Sequence, residues 1–287
     1  MAQSISLSDT AFSAFHNGHY SQAINLYHQL IASEKKLRYH SSYSELMLST
    51  CYTRLDSLEQ AKKILTQIVS PEKPVTGYDL SLQENARGNL AEIYLKEKNF
   101  RKALYYYAMH DGAWSHAHFS DINQFEVNYY RAIALSKCYE GLKLKDSAVV
   151  VLTPYIFSTY RQLGYLFKFF PEPVNLKDSL KHDSVCMRYL TLLKHQYSNK
   201  NIKKELKKAE GSYQYIEDLK PTKNDSTYFE KSLTCKIQFY GSTITVANGS
   251  VLLRKNELES KKNFFFTKEQ MLQQFRRLPL YRLITEL

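Results

Sequence analysis

The stretch Asn89–His110, NLAEIYLKEKNFRKALYYYAMH, decides how the rest of the chain reads. It parses as two amphipathic helices joined by a tight turn. Leu90, Ala91 and Tyr94 fall on one face of the first helix, and Phe100 follows the turn. Ala103 and Tyr107, four residues apart, share one face of the second. Working outward, the small residue early in the second helix recurs as Ala23, Ala61, Ala103 and Ala148, at intervals of 38, 42 and 45 residues. The first copy adds Ala11, Gly18, Tyr20, Tyr27 and Leu30. The second has Leu48, Ser49, Tyr52, Leu58 and Leu65, and the fourth has Leu135, Ser136, Tyr139 and Leu152. Small residues let two helices approach closely, and aromatics fill the space beside them.

This order of small and large apolar residues resembles the tetratricopeptide (TPR) helical hairpin. The resemblance covers about half the chain, with units at roughly 4–37, 42–75, 84–117 and 129–160 and a degenerate hairpin at 161–220. Asp56 and Lys143 stand at turns where the family carries glycine, which leaves the geometry of those two turns open. The resemblance implies a mostly α fold, a right-handed TPR-like α-solenoid. A small C-terminal α+β cap over 227–287 completes it, a short antiparallel meander plus a helix.

The insertions between units are visible. Residues 71–82, PEKPVTGYDLSL, read as a loop, and so do 109–121, MHDGAWSHAHFSD. Asp121 opens the next helix with Gln124 three residues on. Pro154 implies that a helix ends at Leu152 or that Thr153-Pro154 opens a new one. Leu163, Gly164 and Phe167 echo a fifth first helix, with Ser184–Tyr197 as its partner and a further lysine-bearing helix over 201–219. Then the period changes. Leu233, Cys235, Ile237 and Phe239 alternate with polar neighbours as in a strand, and ITVANGSVLL reads as a hairpin turning at Asn248-Gly249. So small a sheet must pack on the solenoid end or on the final helix. That helix starts at Thr267 with Gln270 as its capping partner, presents Met271, Phe275 and Leu278, and is interrupted at Pro279. Asn263–Phe266 packs on the sheet.

Composition excludes several classes. No apolar run approaches the ~18 residues that a membrane span needs. The opening MAQSISLSDTAF lacks the basic and apolar regions of an export signal, so the expectation for the chain as written is a soluble, cytoplasmic protein, with export as the alternative if the N-terminus was trimmed. Cys51, Cys138, Cys186 and Cys235 are too scattered for a zinc cluster or a disulfide framework, and Cys51 and Cys138 occupy one buried repeat position. No phosphate loop, G-x-G-x-x-G, H-E-x-x-H or G-x-S-x-G occurs. The net charge of +11 is uneven, with 16 Lys+Arg against 15 Asp+Glu in residues 1–150 and 23 against 13 in 151–287.

In the TPR family one side of each first helix lines a ligand groove. Carried over by register, the resemblance places Phe12, His16, Thr50, Arg54, Glu92, Lys96, Tyr130 and Lys137 there. His16, Arg54 and Lys96 share one slot as a basic ladder suited to an acidic ligand or a C-terminal carboxylate. A helix C-terminus attracts cations for dipole reasons as well. The carboxylate clamp of the chaperone-tail-binding subclass is absent. It needs Lys and Asn where this chain has Ser8 and Phe12, and Asn89 alone matches. The 23 tyrosines, among them Tyr105–Tyr107 and Tyr129–Tyr130, supply rigid contact area.

The expectation is therefore a non-catalytic scaffold for a protein or peptide, with no cofactor, no metal and no membrane span. A second reading is binding of nucleic acid or another polyanion through the basic C-terminal half. A third is a metal-dependent enzyme built on His110, Asp111, His116, His118 and Asp121 around Trp114.

Overall fold

The computed structural model describes residues 2–37, 42–70, 77–109, 121–157, 176–222, 227–259 and 265–287. They are mostly helical, with one small three-stranded antiparallel sheet. The chain divides into two compact units, Met1–Phe119 and Ser120–Leu287.

The first unit contains α1 (Ala2–His16), α2 (Tyr20–Lys36), α3 (Ser42–Arg54), α4 (Leu58–Ile68), α5 (Gly77–Lys96) and α6 (Phe100–Met109). They pair as hairpins α1–α2, α3–α4 and α5–α6. Neighbouring hairpins meet through α2 on α3, α4 on α5 and α3 on α5. The second unit opens with a fourth hairpin, α7 (Asp121–Gly141) and α8 (Lys145–Ile156). It continues with α9 (Leu176–Gln196), α10 (Asn199–Gly211), β1 (Gln214–Pro221), β2 (Tyr228–Phe239), β3 (Ser242–Arg254), α11 (Lys268–Arg277) and α12 (Pro279–Thr285).

All four hairpins turn the same way. Gly18, Asp56, Lys98 and Lys143 all adopt left-handed backbone, with φ of 79°, 61°, 58° and 63°. In each turn the following N–H reaches back to a carbonyl five residues earlier: His19 to Ala14, Ser57 to Tyr52, Asn99 to Tyr94 and Leu144 to Tyr139, at 2.8–2.9 Å. The left-handed residue itself donates to the carbonyl three residues back. This is the helix C-cap that satisfies orphan carbonyls at the end of a helix. The turns at Asp56 and Lys143, left open by the sequence, thus match the glycine turn, and Lys98 joins them. The cap forces the conformation, at a cost of about 1–2 kcal/mol for each non-glycine residue.

The turn delivers the second helix onto the first at a fixed point. Ala23, Ala61, Ala103 and Ala148 have no exposure, and neither have Ala11, Ser49, Ala91 and Ser136, which stand at one position of the first helices. Tyr27, Leu65, Tyr107 and Leu152 are buried one turn beyond. Cys51 and Cys138 are buried as expected, as are Cys186 and Cys235, and all four are free thiols.

Several boundaries differ from expectation. Helix α5 starts at Gly77 and Leu82 is core, so the loop read over 71–82 is shorter. Helix α8 runs through Pro154 to Ile156 instead of ending at Leu152 or restarting. Pro154 sits in the last turn on the exposed side, and the carbonyl it leaves without an amide belongs to exposed Val150. The lysine-bearing helix stops at Gly211, and 214–221 form strand β1, not helix. The boundary expected between 220 and 227 therefore parts β1 from β2, its sheet partner. The echo of a fifth first helix at Leu163–Phe167 lies outside the described residues, and α9 spans its expected partner.

The sheet is a β1-β2-β3 meander. The β2–β3 turn is at Tyr240-Gly241, not Asn248-Gly249. Both turn residues have positive φ (46° and 76°), as a type I′ turn requires, and Phe239 closes it against Ser242. Asn248 lies inside β3, where its side chain accepts a hydrogen bond from Thr234 (3.0 Å), and Gly249 faces Leu233. The β2–β3 ladder runs the whole 12-residue length of β2. The register shifts between Cys235 and Lys236, so Cys235 faces Ala247 while Lys236 faces Thr245. The consecutive residues Val246 and Ala247 are both buried there.

The sheet packs within the second unit's core. Phe157 at the end of α8 meets Phe239 (ring centroids 5.0 Å apart) and Phe275 of α11 (5.5 Å). The expected cap at Thr267 is present. Its hydroxyl accepts from the Gln270 amide, and Gln270 Oε1 accepts from the Thr267 amide. Met271, Phe275 and Leu278 are buried, Pro279 begins α12, and Phe265 is buried with Phe266 partly so.

Candidate binding groove

The expected groove residues fall at two repeat slots, six and two residues before the left-handed turn residue. The outer slot holds Phe12, Thr50, Glu92 and Lys137, and the inner one holds His16, Arg54 and Lys96. Small residues one position before the outer slot take the helix–helix contact, which turns these side chains off the core. All are exposed except Thr50, which is half-buried with its hydroxyl on the Leu46 carbonyl (2.9 Å). Tyr130, outside these slots, is half exposed on α7.

The slot residues differ in what they touch. In α1, Phe12 and His16 stack on each other at 6.1 Å with nearly parallel rings. In α5, Glu92 accepts a hydrogen bond from the Tyr107 hydroxyl of α6. Lys96 pairs with Asp56 at 2.5 Å, so it ties the α5 helix end to the preceding turn. Arg54 has no ion-pair partner among the described residues. The basic ladder is thus one paired lysine, one unpaired arginine and one histidine stacked on phenylalanine. Phe12 through Lys96 belong to the first unit, and Tyr130 and Lys137 to the second.

A cleft that the sequence reading missed lies between α4, the end of α5 and the start of α6. It encloses about 680 Å³ and is lined by Glu59, Lys62, Thr66, Tyr94, Glu97 and Lys102 among others. The Tyr94 ring has Lys62 Nζ at 5.5 Å and Lys102 Nζ at 5.1 Å, and it stacks on Tyr106 at 5.6 Å. Hydrogen bonds to Glu59 and Glu97 push the Lys62 ammonium above its usual pKa. Lys62 is neutralised by its own neighbours, Glu59 and Glu97. Residues 35 apart in sequence make the Lys62–Glu97 pair, so no local pattern announced the cleft.

His110, Asp111, Trp114, His116 and His118 lie outside the described residues. Among the described residues no group of three or more His, Cys, Asp or Glu could hold a metal ion, and no helix is long and apolar enough to cross a membrane. Comparison with protein-family models, with curated proteins and with solved structures finds no match to this chain.

Proposed function

We propose that the protein is a non-catalytic binding scaffold whose hairpins form a TPR-like right-handed α-solenoid and whose first helices bind a protein or peptide. One observation carries this reading. The same left-handed cap and the same buried alanine recur at intervals of 38, 42 and 45 residues, and every recurrence leaves the same two first-helix slots off the core. Repeats of this kind spend their small residues on hairpin contact and leave a row of side chains free for recognition. Arg54, exposed and without an ion-pair partner among the described residues, is the anchor for an acidic group. Phe12 offers apolar contact beside it in sequence register.

The experiment is a pull-down from native lysate with wild type and with Arg54→Glu, followed by calorimetry with the captured protein. Retention by wild type at both low and high salt, with at least a tenfold weaker Kd for the variant, supports the groove. Equal binding by the variant overturns the assignment of the site to Arg54 and the first helices.

A further inference from the structure

The charge of the molecule is confined to one unit. Met1–Phe119 carries 12 Lys+Arg against 11 Asp+Glu, and Ser120–Leu287 carries 27 against 17. The densest part of the excess is Lys194–Lys208, with six lysines and one acid, Glu205. That acid is engaged on both of its oxygens. Glu205 Oε1 accepts the Tyr240 amide at the β2–β3 turn (3.0 Å), and Oε2 takes Lys208 (3.1 Å).

Helix α10 presents Lys200, Lys204 and Lys207 exposed at i, i+4 and i+7, one stripe over about 10 Å of helix. Its other side is spent, because Ile202, Leu206 and Ala209 are at most 3% exposed within the core. Ser198 caps the helix, and the residue before it, Tyr197, stacks on Tyr240 with centroids 4.4 Å apart and rings 25° from parallel. Tyr240 is held at that place by its positive φ and by its bond to Glu205. A lysine stripe and an aromatic stack, the latter completed by the sequence-distant Tyr240, therefore adjoin at one end of α10.

From this juxtaposition we infer that the α10 face is a binding surface for single-stranded nucleic acid. The lysines track the phosphates, and Tyr197, partly exposed just before the α10 cap, is the ring on which a base would stack. Phosphate neutralisation supplies affinity without sequence choice, and stacking on an aromatic accepts any base. An anionic membrane is the poorer partner, because a surface-binding helix inserts its apolar side and that side of α10 lies inside the core. This function is separate from the groove of the first helices and stands or falls independently of it.

The test is fluorescence anisotropy of the full chain with labelled single-stranded RNA and DNA of about 20 nucleotides. Affinity should fall on the order of a hundredfold between 50 and 200 mM salt if about five lysines neutralise phosphates. The variant Lys200→Glu/Lys204→Glu/Lys207→Glu, altered only at exposed positions, should lose at least tenfold in affinity and lower the salt slope by about 2. Tyr197→Leu, which keeps an apolar side chain at the helix junction, should cost about tenfold. Arg54→Glu should bind as wild type does. Absence of binding at 50 mM salt, or binding indifferent to the lysine variant, overturns the inference. So does binding to vesicles of equal phosphatidylserine and phosphatidylcholine that matches the oligonucleotides and ignores Tyr197→Leu.

Discussion

The two units organise their cores differently. In Met1–Phe119 the buried apolar residues form two clusters, each drawn from one hairpin and its neighbours. One runs from Ala11 to Cys51 and the other from Leu46 to Ile93. In Ser120–Leu287 a single cluster runs from Tyr129 to Ile284 and takes in helices and sheet alike. The first unit is thus a sum of short-range interfaces, while the second closes only when distant elements meet. Local interfaces let a segment loosen with its neighbours alone, whereas a shared core couples everything that touches it.

The largest expected effect sharpens this contrast. Phe157→Ala removes a ring fully buried between Phe239 and Phe275 and should cost about 3–5 kcal/mol. Hydrogen exchange should rise together over α8, β2 and α11. Leu30→Ala in the first unit should cost about 2–5 kcal/mol and raise exchange only in α1, α2 and α3. A Phe157→Ala pattern restricted to α8 would erase the distinction between the units.

A smaller effect compares the turns. Gly18→Ala meets no atom within 4 Å of its new Cβ, so only the φ of 79° opposes it, and it should cost about 1–2 kcal/mol. Lys143→Gly relieves the same conformation and should raise stability by about 0.5–1 kcal/mol, after the added unfolded-state entropy of glycine. Thermal melts of both variants suffice, and a destabilised Lys143→Gly would contradict the shared strain.

The smallest effect compares two equivalent tyrosines. Tyr107 donates to Glu92, while Tyr27, buried at the same repeat position, has no hydrogen-bond partner for its hydroxyl among the described residues. The corresponding outer-slot residue there is Phe12. Burial accordingly pushes the Tyr27 pKa well above its usual value. Tyr107→Phe should cost about 1 kcal/mol in denaturant melts, and Tyr27→Phe should cost nothing or stabilise slightly. Equal losses would sink the distinction.

The same contrast explains what could be read from the residues alone. Ala23, Ala61, Ala103 and Ala148 announce the hairpins because each makes its contact within its own unit of sequence. The left-handed turns at Lys98 and Lys143 were hidden, since the cap's hydrogen bonds, not the side chain, impose them. Strand β1 carries little alternation because most of its residues are exposed, so it passed for a continuation of the lysine helix. Asn248-Gly249 is a strong turn signal, but Tyr240-Gly241 takes the turn and Asn248, inside β3, pairs with Thr234. The Lys96–Asp56 pair spans 40 residues and left no mark in the register.

The burial of every cysteine has a practical corollary. Cys51, Cys138, Cys186 and Cys235 have no exposed surface, and burial pushes the Cys51 and Cys235 thiols up to about 11. Maleimides need an accessible sulfur, and none of the four is accessible in the folded chain. The native chain is in effect already silent to such reagents. One cysteine placed at an exposed position, such as that of Lys204 or Arg54, would carry a dye or spin label by itself. The native thiols could stay in place, and each proposed surface could be watched separately.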